Sequence, residues 1–198
     1  MTSKAKVGKT DFKFIDSPSH ISLEKTDKLT KVKCKILGTP RPLARARARD
    51  GNGKTWYWNP SKPNQDSFHN ALKQALESRE GGNPFTPSSE RAISLSMKFF
   101  FPRPKHHYNL NWGLKDTAPV MVTSYPDLDN LEKLILDAIK GLVYEDDRYV
   151  SQITSSKHYL HSTPGRIYKE SDNKEGCVLL SITEFKRNHI ALMPKNHS

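Results

Sequence analysis

The apolar patterns along the chain predict an α/β fold, a single domain in which helices pack on one mixed β-sheet. Four segments alternate apolar and polar residues with the period of a half-buried strand, and two segments repeat apolar residues at helical spacing. Along the chain they run strand, helix, strand, helix, strand, strand. At 198 residues the chain is long enough for one such domain to bury a core.

Polar segments are left over at both ends of the predicted domain. We expect the domain to occupy residues 30–186, between a flexible basic tail at residues 1–29 and a second flexible tail at residues 187–198. The first segment mixes Lys, Ser, Thr and Asp with few apolar residues and shows no sustained period, so it offers little apolar surface to bury.

The charge composition indicates which kind of molecule the protein binds. A formal net charge of +11 favours polyanions such as nucleic acid, because it steers them from a distance and supplies phosphate contacts. No segment approaches the length of a membrane span, and the N-terminus lacks the apolar core of a secretory signal. We therefore expect an intracellular protein with no membrane partner. Cys34 and Cys177 each lie in a strand-like segment, which favours free buried thiols over a disulfide.

The first strand is predicted to begin at Thr30, because Val32, Cys34 and Ile36 alternate with lysines. A proline-rich segment follows, and its arginines are Arg41, Arg45, Arg47 and Arg49. Alternate arginines on an extended chain point the same way, which suits a track for DNA phosphates; the alternative is a solvated loop. We expect the aromatic residues at 56–58 to pack on the sheet rather than stack on bases.

The middle of the chain is predicted to supply scaffold. Residues 64–79 form a helix with one apolar stripe, and residues 91–101 form the clearest strand. Further strands are predicted at 148–160 and 177–185. A basic cluster follows the clearest strand and consists of Arg103, Lys105, His106 and His107. We expect this cluster on the surface or facing DNA, with Lys105 as the DNA-binding candidate.

The segment PDLDNLEKLILDAIKGLVYEDD, at residues 126–147, is predicted to hold the chemistry. Its apolar residues recur every three or four positions, the spacing of a buried helix face. Pro126 and Asp127 suit the turn into that helix, and Gly141 suits its C-terminal end, where φ is positive. A helix with acids at both of its ends follows from this pattern.

Those acids have two interpretations. In the first, Asp127 caps the helix, Asp129 faces the positive end of the helix dipole, and Asp146 and Asp147 belong to a turn. In the second, carboxylates from segments that the fold brings together bind a hard divalent cation. Lys133 lies four residues after Asp129, on the same helix face, where it can meet a phosphate or form an ordinary ion pair.

The runs PDLDNLEK and LDAIKGLVYEDD resemble the RusA family of Holliday junction resolvases, metal-dependent endonucleases that cut branched DNA. The resemblance sets Asp127, Asp129 and Lys133 on the family's Asp-x-Asp and lysine positions. It sets Asp147 on the third essential acid, with Asp146 beside it as a further or alternate ligand. It implies a RusA-like fold, Mg²⁺ or Mn²⁺ bound by the three essential acids, and a homodimer that cuts opposed strands of a four-way junction.

The resemblance extends to the DNA contacts. The family tends to carry a Gly-x-Pro segment with basic residues after its first strand, and residues 38–40 match it, with Leu43 where a lysine is common. Ser124 and Tyr125 stand where a basic residue often precedes the Pro-Asp pair. Phosphate contacts at this turn must therefore come from elsewhere in the chain. Lys157, in the strand after the acids, is predicted to face the site.

The sequence thus predicts a Mg²⁺-dependent endodeoxyribonuclease that resolves Holliday junctions in DNA recombination and repair. Leu136 is apolar on an otherwise polar helix face and is a candidate dimer contact. Two alternatives stay open: a noncatalytic module that binds branched DNA, and a metal-nucleotide transferase that uses Asp-x-Asp. The chain lacks the glycine-rich phosphate cradle that would favour the transferase.

Overall fold

The computed structural model describes residues 12–14, 21–44, 47–51, 54–87 and 91–186. The described chain contains two helices, α1 (Lys62–Glu77) and α2 (Leu128–Ile139). Its strands are β1 (Lys13–Phe14), β2 (Ile21–Lys25), β3 (Leu29–Leu37), β4 (Arg47–Gly51), β5 (Lys54–Trp58), β6 (Ile93–Phe101), β7 (Val150–Tyr159) and β8 (Cys177–Phe185). Neither of these helices is long and apolar enough to cross a membrane.

Six of these strands form one mixed sheet. Their order is β1-β3-β8-β6-β7, with β2 also paired to β3, and β4 and β5 form a separate hairpin. The β6–β7 pair is parallel, whereas β3, β8 and β6 pair antiparallel. The predicted α/β fold, a single domain with helices packed on a mixed sheet, is confirmed.

The core lies between the two helices and one face of this sheet. Phe68 and Leu72 of α1 and Leu134 of α2 join the same buried cluster as Ile36 of β3 and Met97 of β6. Burying one such side chain stabilises the fold by about 1.5–3 kcal/mol, so the apolar stripes of both helices fix where the helices sit. The alternate residues of the strands point to the opposite face, which neither α1 nor α2 covers.

Helix α2 begins and ends as its sequence predicts. Asp127 is the N-cap residue with extended backbone, directly after a cis peptide bond between Tyr125 and Pro126. Gly141 follows the last turn with a φ of +80°, which confirms the predicted left-handed position. The Tyr144 hydroxyl then donates a hydrogen bond of 3.1 Å to the Leu136 carbonyl and ties the following turn back to the helix.

The N-terminal boundary of the domain differs from the prediction. The strand Ile21–Lys25 lies inside the segment predicted to be a tail, and it pairs along β3 from Cys34 to Thr30. The strand is exposed over most of its length, and its apolar alternation is limited to Ile21 and Leu23, which is too short a pattern to predict a strand. The predicted tail at residues 187–198 lies outside the described residues.

Part of the arginine-rich segment is extended, as one of its two interpretations predicts, and forms a hairpin. Strands β4 and β5 pair from Arg47 opposite Trp58 to Gly51 opposite Lys54. Tyr57 is 77% exposed, so it does not pack on the main sheet as predicted. The Gly-Asn-Gly sequence at 51–53 is the turn signal between the two strands.

Candidate active site

The turn into α2 is held by β7. The Lys157 ammonium donates hydrogen bonds to the carbonyl oxygens of Ser124, at 2.9 Å, and Pro126, at 2.7 Å. Lys157 therefore does reach the predicted site, where it satisfies two backbone carbonyls of the turn. The contact fixes the backbone from which Asp127 and Asp129 project.

At this turn the carboxylates are open to solvent. The side chain of Asp127 is exposed and accepts no hydrogen bond from the first turn of the helix, so the side-chain cap of the first interpretation is not formed. Asp129 pairs with Lys133, at 3.4 Å between Oδ2 and Nζ, and the two side chains are 62% and 58% exposed. An exposed pair of this kind stabilises a helix by only about 0.3–0.5 kcal/mol. We call Asp127, Asp129 and Lys133 the N-terminal corner of α2.

The other acids lie where the chain leaves α2. Asp146 accepts a hydrogen bond of 3.0 Å from the backbone N–H of Arg148, as the turn interpretation predicts. Asp147 forms an ion pair of 3.6 Å with Lys140. Both carboxylates therefore have partners in the chain, unlike that of Asp127.

Asp137, which the sequence pattern did not single out, belongs to this second group. Gln65 of α1 donates a hydrogen bond of 2.9 Å to its Oδ2. Burial raises the pKa of Asp137, and the charge of Asp147 raises it further. Burial also raises the pKa of Tyr144, with smaller contributions from Asp147 and Asp137. The repulsion between acids indicates that they share one site, which we call the C-terminal acid group: Asp137, Asp146 and Asp147.

Strand β7 separates the two groups. Asp147 shortly precedes this strand, whose first residue is Val150, while Lys157 near its other end holds Pro126. The seven steps from residue 150 to residue 157 span roughly 23 Å of strand. Accordingly, no group of three or more His, Cys, Asp or Glu side chains in the described chain is arranged to hold a metal ion. One chain brings Asp127, Asp129 and Lys133 together, and it does not bring Asp147 or Asp146 to them.

The predicted DNA-contacting residues are spread over the surface. Lys105 is exposed and pairs with Glu170 at 3.1 Å. Arg41 is exposed after β3, and Arg47 and Arg49 lie in β4. Arg45 lies outside the described residues. These positions neither support nor exclude a phosphate track along the hairpin.

Two members of the basic cluster at 103–107 are interior, contrary to the prediction. Arg103 is 3% exposed and donates hydrogen bonds to the carbonyl oxygens of Leu160, His161 and Pro119, at 2.5, 2.9 and 2.7 Å. Burial lowers its pKa. His107 is 8% exposed and packs edge-on against Tyr159. Because a buried arginine here satisfies carbonyls of loops distant in sequence, nothing local in the sequence predicts it.

A match to a known protein family identifies the class of this protein. Residues 38–168 match the family model described as Endodeoxyribonuclease RusA, and this range contains both acid groups and Lys157. The match covers more than half of the chain, so the protein belongs to the RusA endodeoxyribonuclease family. Membership implies endonuclease activity on Holliday junctions, with branched DNA as the partner.

One relative extends this match. The chain is 27% identical over 130 residues to the uncharacterised protein YqaN of Bacillus subtilis strain 168. The aligned part covers 65% of this chain and 87% of that protein. A domain of similar extent is therefore present in both proteins.

Proposed function

We propose that this protein is a Mg²⁺-dependent, structure-selective endodeoxyribonuclease that resolves four-way DNA junctions as a homodimer, in recombination and repair. The supporting observation is the N-terminal corner of α2. There, two exposed carboxylates and a lysine, which the resemblance assigns to the RusA motif positions, lie within the range that matches the family. Carboxylate oxygens are the ligands that Mg²⁺ and Mn²⁺ prefer.

The residues divide the chemistry between them. Asp127 and Asp129 would hold the ion together with Asp147, and Asp146, whose carboxylate accepts the Arg148 N–H, would be a further or alternate ligand. Such an ion would supply a coordinated water of lowered pKa and would offset charge on the phosphodiester. Lys133 extends from the same helix face as Asp129, where its ammonium can donate to a phosphate oxygen and stabilise the charge that develops there.

The separation of the acids supports a dimer. Because Asp147 lies near the opposite end of β7 from the turn that Lys157 holds, a second copy could supply the acid that completes the site. A symmetric homodimer would then contain two such sites, one for each of two opposed strands of a junction.

The outer edge of β7 offers a way to bring the copies together. Residues 120–122 pair with the far end of this edge, through Val122 N–H to the Lys157 carbonyl and Tyr159 N–H to the Val120 carbonyl. No described strand pairs with the edge from 150 to 156. Antiparallel pairing of two copies along this free edge would bring the start of β7 in one copy, which follows Asp147, toward the end of β7 in the other copy, where Lys157 holds the turn. The second copy's acid at 147 then approaches the turn that Lys157 holds.

The activity is tested by cutting of a synthetic four-way junction and of a linear duplex with the same sequence, each with Mg²⁺ and with EDTA. We expect paired nicks in the junction alone, only with Mg²⁺, and a loss of about 10²-fold or more in Asp129→Asn. Asp66→Asn is the matched control, because Asp66 is an exposed acid that forms an i,i+4 ion pair with Lys62 on α1. A D129N variant that cuts at the parental rate contradicts the proposal.

One alternative keeps a specific observation in its favour. The lack of a three-ligand group in the part of the chain that the structure describes is what a noncatalytic branched-DNA module would show. Tight junction binding in EDTA, with no cutting after Mg²⁺ or Mn²⁺ is added, would establish that module. The intracellular location stays a prediction.

A further inference from the structure

The sheet face opposite the helices carries lysines and hydroxyls in place of a second layer. Its central part is lined by Lys33, Lys35, Ser96, Lys98, Leu179 and Ser181, which together form what we call the open face. These residues, together with Ile21, Ser22, Cys34 and Leu180, line a shallow concavity of about 500 Å³. All six alternate along their strands with residues of the buried core.

The strand register places these side chains in two rows. In the first row, Lys33 is opposite Ser181, which is opposite Ser96. In the second row, Lys35 is opposite Leu179, which is opposite Lys98. Neighbouring strands lie about 4.8 Å apart and alternate residues on one strand about 6.6 Å apart. The three lysines therefore occupy a patch roughly 10 Å across.

The charge of the open face is uncompensated within the described chain. No described acidic residue lines it, and neither Lys33, Lys35 nor Lys98 forms an ion pair with a described residue. The nearest acid in the register is Glu24, which lies opposite Lys31 at the margin of the face. Three lysines gathered on one face make a local positive potential, which favours a partner of opposite charge.

We propose that the open face is a second DNA-binding surface, which holds the phosphate backbone of a duplex arm on the opposite side of the sheet from the N-terminal corner of α2. Duplex DNA carries one negative charge per 1.7 Å of axis, so a patch roughly 10 Å across meets about six phosphates. Ser96 and Ser181 add neutral donors between the lysines. A second copy of this chain does not fit as the occupant, because two open faces packed together would oppose lysine to lysine.

The proposal rests on DNA as the partner of the proposed function, and it does not depend on cutting. It is tested by equilibrium binding of a 20-base-pair duplex and of a four-way junction in EDTA, over a series of salt concentrations. The test variant is Lys33→Gln/Lys35→Gln/Lys98→Gln. Its control is Lys62→Gln/Lys73→Gln/Lys174→Gln, which removes the same charge from exposed lysines elsewhere. Circular dichroism and thermal unfolding check that both variants fold.

We expect the open-face variant to weaken duplex binding at least tenfold and to reduce the slope of log K against log salt concentration by about 2.7, which is about 0.9 for each lysine that no longer meets a phosphate. The single variants K33Q and K98Q should each reduce the slope by about 0.9, which tests the surface even if the triple variant is unstable. The proposal is overturned if the folded open-face variants keep the salt dependence of the parent protein. It is also overturned if the control variant reduces the slope by the same amount. A protein that binds DNA through this face and never cuts would overturn only the proposed function.

Discussion

The acids at the two ends of α2 differ in their exposure and in their partners. At the N-terminal corner, Asp127 and Asp129 are exposed, and among the described residues only Asp129 has a charged partner there, Lys133. At the other end, Asp147 is paired with Lys140, and Asp137 is hydrogen-bonded to Gln65. A carboxylate that is unused by its own fold is the better candidate ligand. This difference is the basis of the proposed arrangement, in which an acid from a second copy would complete the N-terminal corner.

The largest expected effect separates two neighbouring acids of the C-terminal group. Asp147→Asn should reduce cutting of the junction by about 10²-fold or more, as Asp129→Asn does, because each removes a metal ligand. Asp146→Asn should stay within about tenfold of the parent, since Asn keeps the acceptor that Arg148 N–H requires. Single-turnover cutting at saturating protein measures both. Equal reductions in D146N and D147N would remove the distinction between these two acids.

The next effect concerns the lysine of the N-terminal corner. Lys133→Ala should reduce single-turnover cutting by about 10²- to 10³-fold with little change in junction binding, because its ammonium acts on charge that develops in the reaction. Lys73→Ala removes a comparable i,i+4 ion pair from α1 and serves as the control. If both variants cut at the parental rate, Lys133 is only the helix ion pair that the structure shows.

A smaller effect is expected at the glycine that ends α2. Gly141 has a φ of +80°, and an added Cβ would meet no described atom within 4 Å. Gly141→Ala should therefore lower the free energy of unfolding by about 1–2 kcal/mol through backbone strain alone. Gly141→Asn should cost less, because Asn tolerates the left-handed region. Urea denaturation measures both, and an alanine variant as stable as the parent would show that the turn to Asp147 is not held by this conformation.

The smallest expected effect is a pH-dependent difference in folding stability between the parent protein and Asp137→Asn. The folded pKa of Asp137 is raised by burial and by Asp147, so the folded state favours the protonated acid. The parent therefore becomes less stable relative to Asp137→Asn as the pH rises from about 3.9, the unfolded value, through the folded pKa. We expect D137N to be the more stable protein at pH 7, with the difference closing below about pH 4. A difference independent of pH would show that Asp137 is not strained by its neighbours.

Much of the fold followed from local pattern. Helix α2 and the left-handed conformation of Gly141 were predicted because the sequence of an amphipathic helix shows both its buried face and its C-terminal end within a few residues. Strand β2 was missed because an exposed strand buries too little to require alternation. Arg103 was assigned to the surface because the carbonyls that it binds belong to loops brought near only by the fold.

The candidate site was likewise predictable from the sequence only where its residues are close along the chain. Asp129 and Lys133 are four residues apart on one helix, so their proximity follows from the helical period. The distance between Asp127 and Asp147 depends on which way β7 runs past α2, and sequence spacing does not report that. The role of Asp137 was hidden for the same reason, since Gln65 and Asp147 come from other elements.

Mixing two inactive variants tests most directly whether one site is built from two copies. Asp129→Asn and Asp147→Asn are unfolded and refolded together so that mixed dimers form, and nicking of a four-way junction is measured with Mg²⁺. If the acids meet across two copies, each mixed dimer has one site with both residues intact. Half of the dimers in an equal mixture are then mixed, so single-strand nicking returns to about a quarter of the parental rate. If all the acids of a site belong to one chain, both sites of the mixed dimer lack an acid, and a mixture as inactive as its parts would contradict a site shared between copies.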